Sequence, residues 1–320
     1  MKWRTAPLNH IHLDILQQCR NLLLAIFGLI AFDYDLETLN NNGNNELTEA
    51  LKEFLSTVDM ILYAPKIVST VYLKLSRRHR RVQATIERYL YRMIDHELAE
   101  NLESIAERKR TSLSRNELLH EMLFFMVAGY ETTSTALTWI IHHLSKYPRV
   151  QQKIKAELID NNAQQGLSLE RLDSLIYLDC VINEVLRFSP PVDGTVRTLT
   201  VDDRLPESGA QLLAGDQVLI PFNNLSHDTR YWSIDPEQFY PERFLGEDKN
   251  HHPYTLIPFG SGHRQCIGQD LARFELKVIT ARLMQYVTFG DGGAQVNAGG
   301  YIQGITVVPK HVGVTIEFDE

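Results

Sequence analysis

"FGSGHRQCIG", residues 259–268, places a cysteine among three glycines, a histidine and an arginine. The chain has 320 residues and three cysteines, Cys19, Cys180 and Cys266, so a thiol in such a loop asks for a chemical reason. A lone cysteine is most often a buried apolar residue, but that reading leaves its neighbours unexplained. Gly260, Gly262 and Gly268 permit tight backbone turns around the sulfur. Amide groups turned toward a thiolate favour its charge. Arg264 adds a cation two residues away, and a helix opening at Gly268 adds the positive end of its dipole. A thiolate held this way suits a metal that takes one anionic, electron-donating ligand.

Other chemistries fit the loop poorly. Residues 260–265 start like a dinucleotide fingerprint, but Gln265 stands where the third glycine belongs. A structural zinc site needs four ligands, and only His263 lies near Cys266. "HEMLF" at 120–124 lacks the second histidine of a zincin motif.

Composition sets the frame. At 44% hydrophobic the chain can bury a large core, and a net charge of −8 gives no sign of nucleic-acid binding. The one basic cluster, Arg77-Arg78-His79-Arg80-Arg81, reads as a solvated helix face, or more sharply as a docking patch for an acidic partner. An odd cysteine count, wide spacing and no CxxC argue against a disulfide framework and for a reducing compartment. The longest apolar run, Leu22–Phe32, has 11 residues, while a membrane span needs about 20. Charged residues before it and the lack of a cleavage site speak against a signal peptide, so a buried helix is expected there.

The first three fifths read as helices: 10–32, 47–63, 75–108, then a long apolar helix over 118–145 opened by a Ser114–Glu117 capping box. That helix is apolar nearly all round and belongs at the centre of a fold. Residues 40–45 form an asparagine-rich loop. Pro148 starts another helix, and one more runs from 172 to 188, where Pro190-Pro191 stops it. Residues 192–222 read as short strands and turns, and 228–265 as a long irregular segment. Helix returns over 268–286, and the last 30 residues read as a terminal hairpin.

Phe259-x-x-Gly262-x-Arg264-x-Cys266-x-Gly268 resembles the haem-binding loop of the cytochrome P450 superfamily, the haem-thiolate monooxygenases. Three further signals agree. "AGYETT", residues 128–133, breaks an apolar helix with a glycine, a carboxylate and hydroxyls. On its own this could be a kinked helix whose threonines bond back to its carbonyls. The resemblance implies that the stretch passes over the distal haem face, that its small residues leave room for dioxygen, and that Glu131 and Thr132 relay protons. Glu184-x-x-Arg187 and Arg243 of "PERF" resemble the family's Glu–Arg–Arg cluster, with a structural role. Arg197, ten residues after Arg187, and Arg264 would grip the two haem propionates.

The resemblance therefore implies a mainly α fold with a minor β part (α+β), one incomplete cytochrome P450 domain over 1–320. Full-length members extend further at the N-terminus, so the chain reads as the C-terminal part of such a protein: a fragment, a truncated isoform or an incomplete gene sequence. The implied activity inserts one oxygen atom of dioxygen into an apolar organic substrate. Haem b would be the cofactor and an NADPH-dependent flavoprotein reductase the electron donor. Microsomal relatives imply the cytosolic face of the endoplasmic reticulum membrane, although the anchor segment is absent here. Phe124, Phe125, Ala128, Val192, Thr195 and Ile302 would line the substrate pocket. Two alternatives stay open: a peroxide isomerase or dehydratase of the same family, and a haem-free interaction protein on the same scaffold.

Overall fold

The computed structural model describes residues 2–7, 9–39, 45–100, 114–163 and 166–319. The helices in chain order are α1 (Ile15–Phe32), α2 (Glu46–Tyr63), α3 (Lys66–Leu75), α4 (Arg77–Glu100), α5 (Arg115–Lys146), α6 (Pro148–Asp160), α7 (Leu169–Asp173), α8 (Ile176–Phe188), α9 (Phe222–Ser226) and α10 (Gln269–Tyr286). The strands are β1 (Gly194–Thr198), β2 (Asp203–Arg204), β3 (Gln211–Leu212), β4 (Gln217–Pro221), β5 (Val287–Asp291), β6 (Tyr301–Gln303), β7 (Val307–Pro309) and β8 (Val314–Phe318). The fold is mainly α with small two-stranded sheets, as expected. The chain divides into two compact units, one of residues 11–138 and 292–315, the other of 1–10, 139–291 and 316–320.

In the first unit, α1 buries Ile15, Cys19, Leu23, Leu24 and Gly28, a stripe at helical spacing. By length and composition α1 could cross a membrane; the buried stripe is that of a core helix, while Leu29 and Ile30 stay exposed. Asn45 caps α2 through its side-chain oxygen, which accepts from the Leu47 and Thr48 amides. α2 packs against α4, and Arg78 pairs with Glu53 between them.

The helix expected over 75–108 is α4, which begins at Arg77 after Ser76, whose hydroxyl accepts from the His79 amide at 3.1 Å. The helix α3 over 66–75 was not expected from the sequence. The expected end near 108, and residues 40–44 of the asparagine loop, lie outside the described residues. Arg77, Arg78, Arg80 and Arg81 are exposed, as a solvated face requires. α5 opens on the expected capping box: the Ser114 amide donates to Glu117 Oε2 at 2.8 Å, and Ser114 Oγ accepts from the Glu117 amide. Residues 133–145 are buried throughout, whereas 114–117 and Phe124 are exposed, so only the later part of the helix is central.

In the second unit, Pro148 stands at the first position of α6, where its missing amide costs nothing. The helix expected over 172–188 is broken at Ser174 into α7 and α8. Glu157, on α6, caps α8 from a distance: its two carboxylate oxygens accept from the Tyr177 and Leu178 amides at 2.6 and 3.0 Å. β1 and β4 pair antiparallel, from Gly194 opposite Pro221 to Thr198 opposite Gln217. A side chain at Gly194 would meet the Ile220 carbonyl at 2.9 Å, so the pairing needs glycine there. The expected terminal hairpin covers only β6 and β7; β8 pairs with β5.

The irregular segment has few backbone ladders of its own, and buried charge holds it instead. Glu184, Arg187 and Arg243 are fully shielded from water. Arg187 grips Glu184 with Nε and Nη2 at 2.8 and 2.9 Å. Its other donors reach the carbonyls of Ser226 and Gln238. Arg243 donates to Glu184, to Asp248, and to the carbonyls of Ile234, Asp235 and Gln238. Asp248, which the sequence reading did not single out, makes the set neutral: two guanidinium groups against two carboxylates. Trp232 lies beneath both guanidinium groups, at 5.3 and 5.4 Å.

Removing one member leaves an uncompensated charge in a dry site, at a cost of about 3–5 kcal/mol. Arg187→Ala should therefore yield little soluble protein, measured as soluble fraction and thermal midpoint, and a well-folded variant would refute a scaffold role.

A second prediction concerns pH. His143 is sandwiched between Trp139 and Phe239, with ring centroids 5.6 and 4.7 Å away. Its neighbour His142 packs edge-on against Trp139. Burial, reinforced by Lys146, pushes His142 down to about 4. An imidazole in the unfolded chain takes its proton near about 6.5. Between those values unfolding takes up a proton, so stability falls as pH drops from about 6.5 to about 4, by up to about 3 kcal/mol. Denaturant titrations at several pH values should show a shallower slope in His142→Phe; an unchanged slope would refute the assignment.

Candidate functional site

The cysteine loop is shaped by its backbone. Gly260 and Gly262 adopt φ of +71° and +70°, a region that side-chain-bearing residues avoid. The Cys266 amide donates to the Phe259 carbonyl at 2.9 Å and closes the loop. The Gln265 amide donates to Gly262, and Gly268 forms the N-cap of α10. The Arg273 guanidinium covers the Phe259 ring at 5.1 Å.

This architecture separates the three thiols. Residues 261–267 are all exposed, Cys266 included. Cys19 and Cys180 are buried, and burial pushes their thiols up to about 12 and about 11. Arg264 is exposed beside Cys266 in the sequence. Arg197, half-buried on β1, spends Nη1 on Thr195 Oγ1 at 2.6 Å and the Val196 carbonyl at 3.0 Å. Val192 and Thr195 are half-buried. An exposed thiol on a glycine-shaped loop at a helix N-terminus is a donor that would fit a haem iron.

In the other unit, Phe124, Ala128 and Thr132 recur every four residues along α5, with Phe125 beside them. Phe124, Phe125 and Ala128 are exposed and Thr132 is half-buried. These residues form an open apolar stripe that ends in a hydroxyl. Thr132 Oγ1 donates to the Ala128 carbonyl at 2.8 Å, and Thr138 bonds back to Ser134 in the same way. Gly129 does not leave open space: a Cβ there would meet the Phe27 ring at 3.1 Å, so glycine serves the packing of α1 on α5. Ile302 is exposed on β6.

Glu131 faces elsewhere. It is buried, and Arg20 grips it bidentately, Nε at 2.8 Å and Nη2 at 2.5 Å. Thr306 Oγ1 donates to Glu131 Oε1 at 3.0 Å, and Thr135 Oγ1 donates to Thr306 at 3.4 Å. The carboxylate bonds to Arg20 and Thr306, while the Thr132 hydroxyl bonds to Ala128. Arg20 and Thr306 were missed by sequence reasoning. They stand 111 and 175 residues from Glu131, and no local pattern marks them.

Comparison with known proteins bears on both units. The family profile described as Cytochrome P450 matches residues 2–296. Cytochrome P450 4V2 of Rattus norvegicus is 38% identical over 186 residues, 57% of this chain and 35% of that protein. Cytochrome P450 3A5 of Homo sapiens is 34% identical over 244 residues, 75% of this chain and 46% of that protein. Cytochrome P450 734A2 of Oryza sativa subsp. japonica is 40% identical over 172 residues, 53% of this chain and 31% of that protein. The chain thus spans less than half the length of these curated relatives. Because the profile runs through the cysteine loop and nearly all of the helical sequence before it, the chain belongs to the cytochrome P450 family.

Proposed function

We propose that this chain works as a haem-thiolate monooxygenase, inserting one oxygen atom of dioxygen into an apolar organic substrate and releasing the other as water. The two electrons would come from NADPH through a flavoprotein reductase, at the cytosolic face of the endoplasmic reticulum membrane. The observation that carries this reading is the contrast among the thiols: Cys266 alone is exposed, on a loop bent by two left-handed glycines.

Haem b, when bound, supplies the redox chemistry of oxygen activation. Cys266 Sγ, having lost its proton, would be the anionic iron ligand, with Gly268, where a Cβ would come within 3.9 Å of Sγ, keeping bulk away from the sulfur, Gly262 turning the backbone and Phe259 closing the loop. Arg264 and Arg197 would pair with the propionates as planar forks. The stripe of Phe124, Phe125 and Ala128 would meet the apolar substrate. Thr132 Oγ1 carries the proton nearest that stripe, and Glu131 would belong to the same proton-handling segment. An accessible hydroxyl at Thr132 favours this chemistry over peroxide isomerisation, which needs no proton delivery to dioxygen.

The direct test is the absorption spectrum of the reduced, carbon-monoxide-bound chain. Cys266→Ser should abolish the strongly red-shifted Soret band, while Cys19→Ser and Cys180→Ser keep it. Loss of the band in a folded Cys180→Ser variant would sink the ligand assignment. A native chain that binds no haem would instead favour the haem-free reading.

Thr132→Ala should leave haem binding intact and alter electron use. General-acid assistance is worth about 10²–10⁴-fold in rate, so reducing equivalents should appear as peroxide. With a reductase and an alkoxyresorufin probe, product per NADPH should fall as peroxide rises. Unchanged coupling would remove Thr132 from the mechanism.

A further inference from the structure

The β6–β7 turn is held from two sides. A Cβ on Gly304 would sit 2.7 Å from Asp59 Oδ2 on α2, so the turn approaches that helix as closely as glycine allows. The Ile305 amide donates to Asp59. Two positions after Gly304, Thr306 is buried and donates to Glu131 Oε1 at 3.0 Å on α5. Thr135, one helical turn beyond Glu131, contributes its own hydroxyl to Thr306. Arg20 holds the same carboxylate from α1. The turn thus reaches α5 through hydroxyl contacts in a dry site, where each hydrogen bond counts for more than in water.

The hairpin also carries Ile302, exposed on β6 four residues before Thr306. Register pairs Ile302 with Val308 in the hairpin whose turn carries Thr306, so the exposed position and the buried hydroxyl lie on one short element. We propose that Thr306 is a positioning residue for Glu131. Its hydroxyl ties the hairpin to the α5 segment bearing Thr132, so contact of an apolar substrate with Ile302 is felt where protons are handled. The consequence for catalysis rests on the monooxygenase reading; the mechanical tie does not.

The test compares Thr306→Val, which removes the hydroxyl at nearly constant shape, with Thr306→Ser, which keeps it. The first readout is amide hydrogen exchange of the whole chain, followed in peptides covering 126–136, 287–291 and 301–309. Losing one buried hydrogen bond should speed exchange in 126–136 and 301–309 by roughly 2- to 10-fold in Thr306→Val. Exchange in 287–291 should not change, and Thr306→Ser should behave as the native chain. Unchanged exchange in 126–136, or equal acceleration in both variants, would overturn the proposal.

The second readout uses the haem-loaded chain with reductase and an alkoxyresorufin probe. Thr306→Val should lower product per NADPH with the probe's KM unaltered, and Thr306→Ser should restore it. A raised KM with unaltered coupling would show a packing role only and refute positioning. Failure of the Cys266 spectral test would sink the monooxygenase reading while leaving the exchange result to decide the tie.

Discussion

Four charged side chains with almost no access to water hold the part of this protein that has the least regular structure. Glu184 and Asp248 are satisfied by Arg187 and Arg243, and the guanidinium groups spend their spare donors on carbonyls between residues 226 and 238. A buried ion pair of this kind is a poor source of net stability, because desolvation consumes most of the Coulombic gain. Its value is specificity. A segment without helix or sheet to satisfy its backbone needs partners at fixed points, and a rigid fork with five donors supplies them.

The same economy of partners governs the thiols. Cys19 and Cys180 sit on the packed faces of α1 and α8, where no charge is welcome and the protonated form is kept. Cys266 stands on a loop that two left-handed glycines turn outward. A side chain at either glycine would force φ into a strained region, so the exposure of the sulfur follows from backbone chemistry at neighbouring positions.

α5 carries two kinds of surface along one helix. Its later residues are buried even though several are threonine or serine: the hydroxyls of Ser134, Thr138 and Ser145 return to the helix's own carbonyls, and that of Thr135 reaches Thr306. Its earlier part leaves Phe124, Phe125 and Ala128 open. Glu131 marks the junction, and its burial is tolerated because Arg20 and Thr306 saturate the carboxylate.

Much of this was legible in the residues alone. The capping box at Ser114, the proline that opens α6, the glycine that opens α10 and the spacing around Cys266 are local rules, carried by atoms a few residues apart. The helix α3 and the break at Ser174 were not legible, since no side chain caps the start of α3 and the start of α8 is satisfied by Glu157 from another helix. Gly129 looked like room for a small ligand and is room for Phe27. Sequence by itself determined most of the helices and which sulfur stands apart, because those depend on backbone conformation and short-range hydrogen bonds. Only the tertiary structure decided what each buried charge faces: Arg20 and Thr306 reach Glu131, and Asp248 completes the arginine cluster, because a desolvated carboxylate takes whichever donors packing brings to it, however distant they are along the chain.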